Sequence, residues 1–216
     1  MCAMYLPQLF EEKRIDVLHS FVREHPFGAL VVMSANGLDA NHLPFEIDTA
    51  SGPFGTLHCH VSRANPVWRD FARDTEALAV FQGPNTYITP TWYPSKQETG
   101  KDVPTWNYIV VHARGPLRVI DDVHHVRAHL EKLVAKNESG RPHPWKITDA
   151  PEDYVNKQLS LIVGIEMPLT SLVGKWKLGQ NRLLRDRQGM LQGLLEANTP
   201  ETVAVAAEVR KTLEGT

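Results

Sequence analysis

YITPTWYPSKQETGKDVPTWNY, residues 87–108, sets the reading of this chain. It gathers Trp92, Trp106, Tyr87, Tyr93 and Tyr108 around Pro90, Pro94 and Pro104, with Lys96, Lys101 and Asn107 among them. A central strand does not read this way, because each proline removes a ladder donor and fixes φ. Aromatic rings supply flat apolar surface with polar tips, the combination that lines small-molecule pockets. An aromatic, proline-rich and cationic loop therefore predicts a site for a planar, anionic ligand.

Short strands are predicted around this loop. Residues 77–81 read as a buried strand, and 106–120 as one long strand or two broken at Gly115-Pro116. Further upstream, 29–33 is a short apolar run and 38–47 a strand carrying His42. Residues 54–61 alternate, which puts His58 and His60 on one face and Cys59 on the other. A strand over 161–167 has 169–178 as its continuation. Helices are predicted over 11–24, after the Asn65-Pro66 cap, after Asp122 as far as Gly140, and over 152–159. Two more close the chain: one carrying Leu183, Leu184, Leu191, Leu194 and Leu195, interrupted by Gly189 and Gly193, and one opened by Thr199-Pro200. Six or seven strands with short links and peripheral helices predict a β-rich α+β chain built on antiparallel sheet. One domain over 1–216 is expected, with the helices from about 181 packed on it. Neither GxGxxG nor GxxxxGK[ST] occurs, which disfavours a Rossmann or P-loop fold.

Composition narrows the function. The 216 residues are 42% apolar and 22% charged, an ordinary globular mixture. A net charge of −2 gives no global case for a nucleic-acid binder, so such a role must rest on a local patch. Two cysteines, Cys2 and Cys59, exclude a disulfide framework and fit a reducing cytosol; Met4 is a possible alternative start, which leaves Cys2 without a role. No long apolar run or basic leader is present, so neither a membrane span nor a signal peptide is expected.

Five motifs occur in register: HLPF at 42–45, HVSRANP at 60–66, QGPNTYITPTWYPSK at 82–96, VPTWNY at 103–108 and KWKLGQNR at 175–182. With the opening MYLPQLF at 4–10, the chain resembles the PaiB-type FMN-binding negative transcriptional regulators from about residue 4 to at least 190. The resemblance implies an FMN-binding split β-barrel related to the pyridoxamine phosphate oxidase group. It also implies a homodimer with FMN at the subunit interface, and a cytoplasmic regulatory role.

FMN needs cations or N–H donors for its phosphate, a slab for its ring and donors for the pyrimidine edge. The turn His60-Val-Ser62-Arg63-Ala-Asn65-Pro66 offers a hydroxyl, a guanidinium, an amide and helix N-terminal N–H groups in one place, which suits phosphate. The plainer reading makes Asn65 a cap and Arg63 a surface charge. Thr89 and Lys96, by comparison with the oxidase group, reach the phosphate or ribityl, or are ordinary loop residues. Trp92, Tyr93, Trp106 and Asn107 wall the ring or dress a dimer interface. His42 is structural or a ligand contact. Lys177, Gln180, Asn181 and Arg182 lie in a segment resembling the one with which relatives reach the flavin of the opposite subunit.

Two other readings compete. His58-x-His60 shares a strand face and His125-x₃-His129 a helix face, but there is no HExxH, no paired cysteine and no third ligand to name, so no metal site is expected. Residues 175–187 carry five basic groups against Asp186, which suggests weak DNA contacts from Arg185 and Arg187, against a solvated helix face as the plainer reading. Cys59 on a strand reads as an inert buried thiol. No acid or base stands out beside the presumed ring, and no catalytic residue is assigned. Three classes remain: an FMN-dependent regulator, a flavin-dependent oxidoreductase or flavin reductase, and a ligand-binding protein without chemistry.

Overall fold

A computed structural model describes residues 4–214; Cys2 lies outside them. In chain order the elements are β1 (Glu11–Glu12), α1 (Ile15–Glu24), β2 (Phe27–Ser34), β3 (Gly37–Pro44), β4 (Glu46–Asp48), β5 (Thr56–Ser62), α2 (Val67–Asp70), β6 (Ala77–Ile88), α3 (Pro94–Thr99), β7 (Thr105–Gly115), β8 (Arg118–Ile120), α4 (Val123–Glu138), α5 (Glu152–Leu159), β9 (Ile162–Pro168), β10 (Ser171–Lys177), α6 (Leu184–Ala197) and α7 (Pro200–Glu214). The described residues form two compact units. One comprises residues up to 14, 82–111 and 173 onward; the other comprises 15–81 and 112–172. β6, β7 and β10 contribute residues to both.

In the second unit β4-β5-β9-β8 form an antiparallel sheet, and β3 and β6 flank β2 on either side. The stretch expected as one strand over 38–47 is two, because Phe45 turns inward between them. Its ring is 2% exposed and meets Phe81 edge-to-face at 5.4 Å, while its N–H donates to Pro26 O at 2.8 Å. The stretch from 106 to 120 also breaks where the sequence placed the break. A β-carbon on Gly115 would lie 2.1 Å from Pro168 O, so only glycine admits that approach. Asp122 caps α4 as expected, its Oδ1 accepting from His125 N at 2.7 Å. Val126 of α4 packs with Ile147, Val155 and Leu159 into a small core of its own.

In the other unit the order is β1-β10-β7-β6, with Glu11 opposite Lys175 and Glu12 opposite Gly174. The helix expected from residue 11 therefore begins only at Ile15, since sheet pairing claims the two glutamates. Residues 87–108 are more ordered than a loop: strand to Ile88, a 3₁₀ turn Pro90–Trp92, α3, then strand from Thr105. The two glycines in α6 receive the turn before α3. A β-carbon at Gly189 would come 2.3 Å from Trp92 O, and one at Gly193 2.3 Å from Trp92 Cγ.

Candidate functional site

The residues expected at a flavin fall into two sets, one in each unit. In the first unit Trp106 and Tyr87 remain half exposed, edge-to-face at 6.3 Å, and the Trp106 indole N–H donates to Asn85 Oδ1 at 3.1 Å. Lys177 reaches back to this strand, its Nζ donating to Thr105 Oγ1 at 2.7 Å and Trp106 O at 2.6 Å. Burial, with Lys175 and Arg182 as like charges, holds the Lys177 ammonium below the ordinary lysine range. Lys175 is itself buried; its Nζ lies 5.4 Å from the rings of both Tyr5 and Tyr108 and donates to Tyr5 O. Arg182 pairs with Asp102 at 2.7 Å and stands 4.8 Å over the Tyr93 ring. Cations thus crowd beside an exposed aromatic pair.

Other expected residues of that unit are committed locally. Gln180 bridges Leu178 N and Trp176 O, and Thr89 Oγ1 caps the Pro90–Trp92 turn by accepting from Thr91 N. Asn107 is buried, its amide 3.3 Å from Met190 S. Trp92 is half-buried against α6, Lys96 is half-buried on α3, and Asn181 is exposed. Arg185 forms a two-pronged pair with Glu98 at 2.7 and 2.8 Å. Arg187 is 6% exposed and its Nη2 donates to Thr212 O and Oγ1. A side chain so enclosed does not present its charge to a nucleic-acid phosphate.

In the second unit the HVSRANP turn is held by its own hydrogen bonds. Asn65 accepts from Val67 N at 2.9 Å and donates to Asn41 Oδ1 at 2.7 Å, so it braces the start of a helix of only 4 residues from one position before the cap, which Pro66 occupies. Ser62 Oγ accepts from Ala64 N. Arg63 clasps Asp121 with two N–H groups and donates to Ser160 O at 3.0 Å and Ile162 O at 3.2 Å. Asp121 holds that guanidinium charged, and a phosphate there would have to displace the carboxylate. His42 is exposed, 6.3 Å from the Phe27 ring. His60 faces α4, with Nδ1 3.3 Å from His129 Nε2. Cys59 points to the opposite face, and burial pushes its thiol up to about 12, which leaves it unreactive at neutral pH.

Asp102, which pairs with Arg182, was not singled out from sequence, nor were Glu46, 3.2 Å from His129, and Glu166, 3.6 Å from His58. Nothing local marks these acids as functional; strand pairing and loop closure give them their partners.

Comparisons agree with the resemblance. Residues 4–171 match the family model described as "Putative FMN-binding domain". An uncharacterized protein of Aspergillus fumigatus is 30% identical, with 96% of this chain and 97% of that one covered. Protease synthase and sporulation protein PAI 2 of Bacillus subtilis is 28% identical over 94% of this chain and 95% of its own. Among solved structures, the FAD and heme binding protein of Mycobacterium smegmatis superposes with a TM-score of 0.58 at 14% identity, covering 77% of this chain and 73% of that one. A flavocytochrome of Azotobacter vinelandii gives 0.52 at 12%, covering 79% and 74%. These likenesses show the fold, the α+β antiparallel split barrel with peripheral helices. With more than half its length matched by one model, the chain belongs to the family described as "Putative FMN-binding domain".

Proposed function

We propose that this protein binds FMN, that it does so as a homodimer, and that it serves as a negative regulator of transcription of the PaiB type. The observation that carries the flavin reading is the crowding of Lys175, Lys177 and Arg182 beside the exposed Tyr87–Trp106 pair. Burial and like charges that hold the Lys177 ammonium below its ordinary range favour an anion beside it, and flat exposed rings favour a planar apolar ligand. That donor set fits FMN. Lys177 would meet its anionic groups, Arg182 only by exchanging Asp102 for the ligand, and Trp106 would cover ring surface, with Lys96 and Asn181 within the same unit as further donors. His42, Ser62 and Asn65 are the candidates in the other unit. Bound flavin supplies a redox-active ring; the chain supplies charge, a wall against water and orientation.

The half-exposed aromatics Tyr87 and Trp106, with Val103 at 68% exposure, support a surface that a second copy covers. Regulation on this reading runs through the flavin or a protein partner, since Arg187 is enclosed and Arg185 is paired. A flavin-dependent oxidoreductase or flavin reductase is the second reading, favoured by the fold shared with a flavocytochrome.

Titration of FMN fluorescence against the purified protein tests the proposal. Quenching is expected, with flavin absorbance near 450 nm (roughly, a property of the cofactor) retained after desalting. Unquenched FMN and colourless protein would sink it. Bleaching by a nicotinamide donor at a turnover rate would favour the oxidoreductase.

A further inference from the structure

The histidine pairs noted in the sequence meet inside one unit, and strand pairing gives them a third partner. Register places Glu46, His58, Glu166 and Arg118 in one row across β4, β5, β9 and β8. Residues directly opposite across antiparallel strands share a face. Helix α4 comes close over this face because Gly164 lies beneath it: a β-carbon there would stand 3.2 Å from Val126 Cγ2. His125 and His129, one turn apart, then reach the row. His125 Nε2 lies 3.3 Å and His58 Nδ1 3.6 Å from the same oxygen of Glu166. Behind them His129 Nδ1 stands 3.2 Å from Glu46 Oε2, at an angle that leaves it without a hydrogen bond among the described residues. The cluster opens into a cleft of about 630 Å³ that Arg118 and Lys132 also line.

We propose that His58, His125 and Glu166 bind a divalent transition-metal ion of the zinc class, with the remaining coordination positions open to the cleft. One ligand atom from each lies within 4.8 Å of the others, the spacing of donors around a common ion. Two imidazoles and one carboxylate form the donor set of open zinc sites and of the facial triads that hold iron; magnesium and calcium prefer all-oxygen shells. An ion pair is the plainer explanation of the same contacts, but it needs only two partners, whereas here three donors from β5, α4 and β9 converge on one point at the edge of the cleft. Beyond the three ligands the cleft is lined by Arg118 and Lys132 against Glu46 and Asp48, so its charges are mixed and the ion itself would supply the attraction for a ligand. The site is independent of the flavin reading.

The test uses untagged full-length protein, stripped with EDTA and dialysed. Calorimetric titration with Zn²⁺ is expected to give one ion per chain, and Co²⁺ to give the visible ligand-field bands of a low-symmetry site. Glu166→Gln and His125→Ala should each weaken Zn²⁺ by about 100-fold or more, with unchanged far-ultraviolet circular dichroism. His124→Ala, exposed on the same helix and outside the cleft, should bind as wild type. Wild-type protein that takes up no Zn²⁺ overturns the proposal, as does wild-type affinity in both ligand variants. Should a variant unfold, the wild-type Co²⁺ spectrum decides: bands support the site, and their absence overturns it.

Discussion

The indole of Trp92 fills the notch that Gly193 leaves in α6: a β-carbon at residue 193 would lie 2.3 Å from Trp92 Cγ and 2.4 Å from Cδ1. In an exposed helix, Gly→Ala stabilises by about 1 kcal/mol. Here the sign should reverse, because either the helix or the indole must move, and overpacking costs about 1–3 kcal/mol. Gly193→Ala is expected to lower the urea midpoint, and Trp92→Ala/Gly193→Ala to cost less than the two changes summed. A stabilised Gly193→Ala would show that the helix yields freely.

That notch marks the boundary of what the sequence made legible. Periodicity located nearly every helix and strand, and the face shared by His58 and His60 was readable because strand alternation is a local rule. The interruption of α6 by two glycines was visible, but its cause was not: the Trp92 carbonyl at Gly189 and the Trp92 ring at Gly193, 97 and 101 positions away. Glu166 was silent for the same reason: it meets His58 only through the β5–β9 register. The aromatic content of residues 87–108 pointed to a binding surface, and Tyr87 and Trp106 stay half exposed there. Other aromatics of the stretch serve packing, Tyr93 at 1% exposure among them.

Arg63 is expected to behave as a tie between strands. Its side chain joins β5 to Asp121 and to carbonyls at Ser160 and Ile162. Arg63→Ala should therefore lower the denaturation midpoint and, where flavin binds, weaken FMN and riboflavin alike. Lys177→Met should weaken FMN about 10-fold or more beyond riboflavin, since a charge-assisted bond to an anion contributes about 1.5–3 kcal/mol. Fluorescence titration of both ligands against both variants separates the roles, and the opposite pattern would return the phosphate to Arg63.

Tyr93 makes stability sensitive to alkaline pH. Burial pushes its phenol above the ordinary value of 10.0, and the adjacent Arg182 guanidinium offsets this only in part. The folded chain then holds the phenolic proton more tightly than the unfolded chain. This contribution is present in full below the unfolded value and is lost as pH rises through the folded one. Wild-type protein should lose stability relative to Tyr93→Phe only as pH rises above about 10, read from urea midpoints. Parallel curves for the two proteins would show that Tyr93 does not titrate with unfolding.

The basic run from 175 to 187 makes opposite demands on its two exposed-looking arginines. Arg187 is 6% exposed and its Nη2 links α6 to Thr212 of α7 through two hydrogen bonds, at 2.7 and 2.9 Å. Removing it strands those acceptors, so Arg187→Ala should destabilise by about 1–3 kcal/mol, seen as a lower thermal midpoint. Arg185 is on the surface, but Glu98 occupies both prongs of its guanidinium. Binding DNA there would mean exchanging one anion for another, with little gain in charge neutralisation. Any gel shift on promoter fragments should therefore be the same for Arg185→Ala as for wild type, at low and at physiological salt. A cation engaged on the duplex would lower the magnitude of the log–log salt slope by about 1 when removed. A slope change of that size in Arg185→Ala would place this face on DNA after all, with Glu98 swung aside to release the guanidinium.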